Sequence, residues 1–451
     1  MSSKHRDPSR SHSSESRAPR AILLSAYDPH ARDAGADVHD VRARSLDELA
    51  ELVVGLGYEI AARVVQRRAP SSVSYLGEGK LAEVAALTGG AGEIVSALEG
   101  DERARDPDAP IVVVDDAISP AVERALSRAL GTSVVDRSGV ILRVFEARAR
   151  TREAMHEVEL ARLAYELPRL RDDHTRGDRE GGGGRASRGH SNVELAKQRM
   201  RERMALLRRA LDGLAEQDER RREARGSERT VALVGYTNAG KSSLMRALTG
   251  SEVLVEDKLF ATLGTTVRQL SPPRTPRVLV ADTVGFLHRL PHELFASFRS
   301  TLSEARGAWL IVVVADADSP ALETELHVTD ETLAEIGARD TPRLLVLNKV
   351  DLLDDEARAS LRARYPRALL LSALDARDTA ELRARIEETL DEGLDERVFH
   401  VPYAQQKAIA ELRARAQIVD EKFDEDVTLT VRGWARDLDA FAARLATPGA
   451  D

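Results

Sequence analysis

The sequence predicts an α/β protein: a βα-repeating N-terminal region, a helical hairpin, a second domain with a mostly parallel sheet, and a small α+β tail. Three observations predict it. Short apolar runs such as Ile111-Val112-Val113-Val114 and Val231-Ala232-Leu233-Val234 have the length of buried strands and end at Asp or Gly. Ala/Leu/Arg/Glu-rich stretches between them carry apolar residues every three or four positions, the period of a helix. Finally, Gly235-Tyr236-Thr237-Asn238-Ala239-Gly240-Lys241-Ser242 fits G-x-x-x-x-G-K-[ST], a pattern that works only between a strand and a helix.

The 451 residues exceed what one hydrophobic core usually serves, so several domains are expected. Charged residues make up 31% and aromatics 4%, the composition of well-solvated helices. A formal net charge of −9 argues against global attraction to nucleic acid but leaves room for a local basic surface. The lack of cysteine excludes disulfides and Cys-ligated zinc and fits a cytoplasmic protein. No apolar run approaches the ~20 residues of a membrane span. The N-terminus has charge without the apolar core of a secretory signal.

Residues 1–20 are rich in Ser, Arg and His, bury almost nothing, and are expected to be disordered. Residues 21–150 form the first domain. Ile22-Leu23-Leu24 starts a strand, and Ser45-Leu46-Asp47-Glu48 has the pattern of a capping box opening a helix from Leu49 to Leu56. Further strands are expected at Ala62-Arg63-Val64-Val65, Glu93-Ile94-Val95-Ser96, Ile111 to Val114 and Ser133-Val134-Val135, with helices after Lys80 and Pro120. Such alternation makes a parallel sheet. Gly77-Glu78-Gly79-Lys80-Leu81 lacks the spacing of a phosphate loop and is taken as a turn before a helix; Asp115-Asp116 is taken as a solvated strand-end loop.

Residues 151–226 are helix formers with one insert. Met155, Val158, Leu160, Leu163, Leu167 and Leu170 mark one apolar face, and Val193, Ala196, Met200, Met204, Leu207, Leu211 and Leu214 mark a second. Two such helices make an antiparallel hairpin. Its insert, residues 172–192, carries four consecutive glycines from Gly181 to Gly184 and the cations Arg176, Arg179, Arg185 and Arg188. Cations spaced by glycine suit a phosphate backbone, because each contact releases counterions. A charged soluble spacer is the plainer alternative. Residues 229–394, closed by a helix bearing Leu382, Ile386 and Leu390, form the next domain; residues 397–447 form the tail, with a helix after Pro402 and a strand at Val427 to Val431.

The chemistry concentrates in residues 229–394. In the loop from Gly235 to Ser243, glycines let backbone N–H groups turn inward on phosphates at a helix N-terminus. Lys241 would reach the β- and γ-phosphates and Ser242 would take a place on Mg²⁺. Asp282-Thr283-Val284-Gly285 follows the strand Val278-Leu279-Val280-Ala281, where Asp282 would hold Mg²⁺ through water and the Gly285 N–H would meet the γ-phosphate. Asn348-Lys349-Val350-Asp351 follows Leu344 to Leu347; a carboxylate there accepts guanine N1–H and the exocyclic amine, a donor pair adenine does not present on that edge. Ser372-Ala373-Leu374 follows Leu369 to Leu371, placing the Ala373 N–H to meet the guanine oxygen. Between loop and Asp282 lies Phe260-Ala261-Thr262-Leu263-Gly264-Thr265-Thr266-Val267-Arg268, the place of the first switch, where a threonine would close over Mg²⁺ and γ-phosphate. All parts stand at strand C-termini, the ligand edge of an open α/β sheet. They define a GTP-binding P-loop GTPase domain.

These motifs, with the Val135-Asp136-Arg137-Ser138-Gly139 turn and the Arg148-Ala149-Arg150-Thr151 junction, closely resemble the HflX-type GTPases over everything but the first twenty or so residues. The resemblance implies a monomeric, ribosome-associated factor that hydrolyses GTP to GDP, binds the large ribosomal subunit and its rRNA, and separates stalled or idle ribosomes. The hairpin loop would reach toward the peptidyl-transferase region. A large-subunit assembly chaperone whose hydrolysis times its release is the runner-up, and a GTPase serving RNA modification or signalling a third. Two departures stand out. Gly264-Thr265 replaces the family's usual Asp-Pro, which leaves Thr266 the best match for the switch threonine with Thr265 as rival. Arg188-Gly189-His190-Ser191-Asn192 lacks the family's Pro-Gly-Glu.

Hydrolysis would proceed by in-line attack of water, with catalysis by positioning and charge stabilisation and Lys241, Thr266 and Gly285 nearest the transferred phosphoryl group. Phe286 stands where many GTPases carry a water-orienting glutamine, so intrinsic turnover is expected to be slow. An Asn at the position of Asn238 resembles the loops of potassium-activated GTPases, in which K⁺ supplies the charge of an arginine finger. A hydrogen bond within the loop is the competing reading, and both stay open.

Overall fold

The computed structural model describes residues 18–30, 38–94, 109–170, 186–225, 229–250, 266–283, 285–286 and 303–446. Compact contacts divide the chain into two units, Met1–Ile141 and Leu142–Asp451.

In the first unit, β1 (Arg20–Ala26), β2 (Glu59–Gln66), β3 (Ile111–Val114) and β4 (Val134–Asp136) make one parallel sheet in the order β2-β1-β3-β4. Ile22, Leu24, Val112 and Val114 pack against Leu81 and Val84 of α2 (Glu78–Thr88) and Leu126 of α3 (Pro120–Leu130). Leu23 and Val113 on the other face are equally buried, which is why these strands are unbroken apolar runs. Ser119 caps α3, its side chain accepting from the Val122 N–H at 3.3 Å with Pro120 behind it.

Three sequence expectations fail here. Helix α1 spans Val38–Gly55, so Ser45 lies inside it and not at its start. The Ser45 hydroxyl donates to Asp115 Oδ1 at 3.0 Å and Glu48 pairs with Arg137, so neither side chain is left for a capping box. Glu93 and Ile94 belong to no strand, because β1 and β4 already flank β3; Val95 and Ser96 lie outside the described residues. Asp115 and Asp116 are not a solvated loop. Asp115 is fully buried and bonded to the 2%-exposed side chain of Arg137 at 2.8 Å, while Asp116 accepts from Arg42 and from the Tyr75 hydroxyl at 2.6 Å each. Burial raises the pKa of Asp115, and the guanidinium of Arg137 opposes that rise. A buried charge persists in such a place only when it is paired and hydrogen-bonded.

The division between units falls inside α4 (Arg137–Arg148). In the second unit, α5 (Arg152–Glu166) and α6 (Ala186–Arg225) form the hairpin. Leu163, Met204 and Leu207 are its buried centre, and Arg203 reaches Glu159 with two bonds of 2.7 Å. Met155, expected on the apolar face, is 50% exposed. Residues 186–192 of the presumed insert are helical, and residues 172–185 lie outside the described residues.

The central sheet has six strands in the order β10-β9-β8-β5-β7-β6. They are β5 (Arg229–Gly235), β6 (Thr266–Gln269), β7 (Val278–Asp282), β8 (Leu310–Asp316), β9 (Arg343–Asn348) and β10 (Leu369–Leu370); only β6 runs antiparallel. Val231, Leu233, Val312 and Val314 bury one face under α7 (Lys241–Thr249), whereas Ala232, Val234, Ile311 and Val313 bury the other. The short α8 (Ser303–Arg306), α9 (Leu322–Glu335) and α10 (Asp355–Arg364) follow in the chain. The closing helix α11 runs Ala376–Asp391 and carries the expected Leu382, Ile386 and Leu390 on its buried face; the Asp375 side chain caps it at the Arg377 N–H.

The tail is a three-stranded antiparallel sheet, β11 (Leu394–Val401), β12 (Gln417–Phe423) and β13 (Val427–Trp434), in the order β11-β13-β12. Helices α12 (Gln406–Arg415) and α13 (Ala435–Leu445) cover it, with Phe399 and Phe441 edge to face at 5.0 Å. The sequence reading missed β11 and β12, whose charged, half-exposed residues carry little apolar alternation.

Candidate functional site

β5 delivers the loop at Gly235, whose φ of 148° and contact with β8 admit no side chain: a Cβ would lie 2.0 Å from the Val314 carbonyl. Gly240, at φ 93°, opens α7, and a Cβ there would strike the Asn348 amide at 2.1 Å. Both glycines of the motif are therefore required by close approach. Asn238, between them, is exposed and left-handed at φ 62°. Tyr236 is half-buried, Thr237 and Ala239 are buried, and Ser243 lies in the first turn of α7.

Lys241 is 6% exposed and donates to the carbonyls of Gly235 at 3.0 Å and Tyr236 at 2.7 Å. Burial lowers its pKa to about 8, opposed by the nearby Asp282 carboxylate. Gly285 sits directly over it: a Cβ would lie 2.8 Å from Thr237 Cγ2 and 3.0 Å from Lys241 Nζ. Phe286 closes this corner through its backbone, donating to Gly235 O at 3.0 Å and accepting from Thr237 N at 2.9 Å. Its ring is buried with Val234 and Ile311, so it orients no water. The Thr283 hydroxyl is also committed, to Leu233 O at 2.8 Å, and holds β7 to β5 with no face toward a ligand.

Ser242 Oγ donates to Asp282 Oδ2 at 2.9 Å, and Thr266 stands opposite Asp282 in the β6–β7 register. Two hydroxyls and a carboxylate, from the start of α7 and the ends of β6 and β7, are hard oxygen donors, and they fit Mg²⁺, which keeps several waters when bound. Phe260, Thr262, Thr265 and Val284 lie outside the described residues.

The base side is built around Asn348, which is 2% exposed. Its Nδ2 donates to Ala239 O at 2.8 Å and its Oδ1 accepts from the Ala373 N–H at 2.9 Å. The Ala373 N–H, expected to face the guanine oxygen, is thus engaged by Asn348. Ser372 is buried with its N–H on Asp378 at 2.7 Å, while Leu374 is 85% exposed. Lys349 adopts a left-handed φ of 66° and pairs with Asp316 at 2.7 Å; Asp351 stands exposed in the short turn Val350–Leu352. Nothing in the sequence reading had singled out Asp316, whose only signal was its place at a strand end.

A strand–loop–helix with a buried lysine, an Asp–Ser pair beside it and an Asn-Lys-x-Asp turn across the sheet edge define a P-loop GTPase, an enzyme hydrolysing GTP to GDP and phosphate. Comparison with known proteins takes this further. Family models described as GTP-binding GTPase N-terminal, GTP-binding GTPase Middle Region and 50S ribosome-binding GTPase match residues 43–146, 148–225 and 230–349. The chain is 46% identical over 429 residues to GTPase HflX of Gluconacetobacter diazotrophicus, covering 90% of this chain and 93% of that one. It is 36% identical over 385 residues to the HflX of Caldanaerobacter subterraneus subsp. tengcongensis (84% and 85%) and 34% over 402 residues to that of Escherichia coli K12 (87% and 90%). The chain belongs to the HflX family of GTPases.

Two outcomes follow from this geometry. Lys241 is charged below about pH 8 and loses its proton above that. An anionic phosphate binds the charged form, so GTP affinity is highest at lower pH. The Kd for GTP, measured by titration with a fluorescent analogue, should be flat below pH ~7 and rise toward tenfold per pH unit above pH ~8. Lys241→Met should bind weakly with no such slope. Asp351→Asn should lose roughly 10–100-fold in GTP affinity, the scale of a hydrogen bond to a charged group. The same variant should gain binding of XTP, whose 2-oxo group accepts from the new amide.

Proposed function

We propose that this GTPase binds the large ribosomal subunit and uses the GTP-bound state to split stalled or idle ribosomes into subunits. The observation that carries the reading is family membership across nearly the whole chain, together with the match of residues 230–349 to a model described as a 50S ribosome-binding GTPase. The α5–α6 hairpin supports it from the chain's own side. Its long arm, α6, is 40 residues of charged helix, and the glycine- and arginine-rich sequence of residues 172–192 leads into it and forms its first residues from Ala186 on. Glycine lets that backbone follow an RNA surface, and arginine neutralises phosphates.

In the catalytic cycle, Lys241 neutralises charge on the β- and γ-phosphates, the Gly285 N–H faces the γ-phosphate, and Asn348 and Asp351 hold the base. Ser242, Thr266 and Asp282 would hold Mg²⁺, which supplies charge neutralisation on the phosphates when bound. The attacking water has no glutamine, since the Phe286 ring is buried in the core. Asn238, exposed at the loop rim with φ 62°, would help hold K⁺ against the phosphates, where a cation would supply the charge that other GTPases take from an arginine finger.

Sedimentation of whole ribosomes with the GTP-bound protein tests the main reading. Splitting predicts loss of the whole-ribosome peak and growth of both subunit peaks, dependent on GTP. Binding to free large subunits with the whole-ribosome peak intact would favour the assembly-chaperone reading instead. For the cation, hydrolysis should run faster in KCl than in NaCl at equal ionic strength, and Asn238→Ala should remove the difference at similar nucleotide affinity. Equal rates in both salts would remove K⁺ from the mechanism.

A further inference from the structure

We infer that Asp316, at the C-terminal end of β8, is a positioning residue for guanine selection, acting through Lys349. This rests on the reading of the turn from Asn348 to Asp351 as the base-recognition element.

Lys349 is one of three non-glycine residues with positive φ among the described residues, and the others are Tyr75 and Asn238 in the phosphate loop. A left-handed conformation costs an L-residue energy and persists only where its surroundings over-determine it. Around Lys349 the surroundings are specific. Ala317 N donates to Asn348 O at 2.8 Å, Val350 N donates to Leu371 O at 3.3 Å, and Leu352 N donates to Lys349 O at 3.0 Å. Arg358 of α10 reaches Val350 O at 3.0 Å. The turn's backbone is thus tied to β8, β10 and α10.

Among the described residues the tie on the Lys349 side chain is ionic, its Nζ lying 2.7 Å from Asp316 Oδ2. Both side chains are about one-quarter exposed or less, so the pair is partly shielded from solvent. Asp316 is itself aimed. Its Oδ1 accepts the Asp318 N–H at 3.1 Å and its carbonyl accepts the Ser319 N–H at 3.2 Å. β8 and β9 are in register at Asp316 and Asn348, which sets the carboxylate beside the first residue of the turn.

The ion pair therefore ties Lys349 to the end of β8, the strand between β9 and β5, and Lys349 leads directly into the turn that carries Asp351. Among the described residues Asp351 has no equivalent tether: it is exposed, and its aim depends on the conformation of the residues before it. Misplacement of a carboxylate that must accept two hydrogen bonds at once penalises guanine more than a base offering one.

Inosine provides the readout, because it keeps the N1–H and lacks the 2-amino group. In Asp316→Ala and in the near-isosteric Asp316→Asn, KM for GTP should rise about tenfold with kcat within about twofold, the pattern of lost binding common to ground and transition states. The ratio of kcat/KM for GTP over ITP should fall by a similar factor, and Asp316→Glu should recover part of it. An unchanged ratio in both Asp316 variants, or an equal loss for GTP and ITP, overturns the proposal, because a merely structural role would weaken both nucleotides alike. Asp351→Asn, run beside them, separates the two failures. If it gains XTP while the Asp316 variants leave the ratio unmoved, the positioning role fails and the base-recognition reading stands; if it gains none, that reading fails first.

Discussion

The site depends on the side chain of Asn348. One buried amide spans the carbonyl of Ala239 in the phosphate loop and the N–H of Ala373 after β10, while its own backbone carbonyl takes the Ala317 N–H beyond β8. Four strand ends meet at one residue. Breaking it would leave buried polar atoms unpaired, at about 1–3 kcal/mol each. The constraint also explains Gly240, which must lack a side chain for the amide to come so near. Phosphate recognition and base recognition, separate motifs in the sequence, are mechanically one body.

The other half of the site works by exclusion. Lys241 reaches back over the loop only because Gly285 leaves the space above it open, and Phe286 spends its backbone on the loop and its ring on the core. The β6–β7 hairpin, which carries Thr266 and Asp282, is pinned at its far end. Arg383 of α11 donates to Ser271 O at 2.7 Å and Pro272 O at 3.0 Å, and Arg274 pairs with Asp391 at the end of that helix. Helix α11 starts just after the Ala373 loop, where its residue Asp378 holds the Ser372 N–H. The same helix thus touches the base side at its beginning and the metal-side hairpin along its length.

Much of this was legible in the sequence because it is local. Strand–loop–helix order, the Asp282 and Asn348 strand ends and the parallel sheets follow from short apolar runs and glycine spacing, which are properties of neighbouring residues. What stayed hidden was long-range. Ser45 and Glu48 have the letters of a helix start, yet a buried Arg137 some ninety residues away claims both. Asp115 looks solvated by composition and is sealed by that same arginine. The Ala373 N–H was assigned to a ligand because its competition with Asn348 exists only in three dimensions. β11 and β12 escaped notice because edge strands with charged faces lack the alternation that betrays a half-buried strand.

The tail is joined to the GTPase sheet by a tilted aromatic contact. Trp309, just before β8, and Trp434, at the end of β13, lie 5.7 Å apart, with the guanidinium of Arg229 4.4 Å above the Trp434 ring. Gly393 passes so close that a Cβ would sit 3.2 Å from one indole and 3.3 Å from the other. These are the two tryptophans of the chain. Indole emission from this protein is therefore light from a single place: it reports the seam between catalytic sheet and tail, and a spectral change on adding nucleotide would mean that the seam itself had moved.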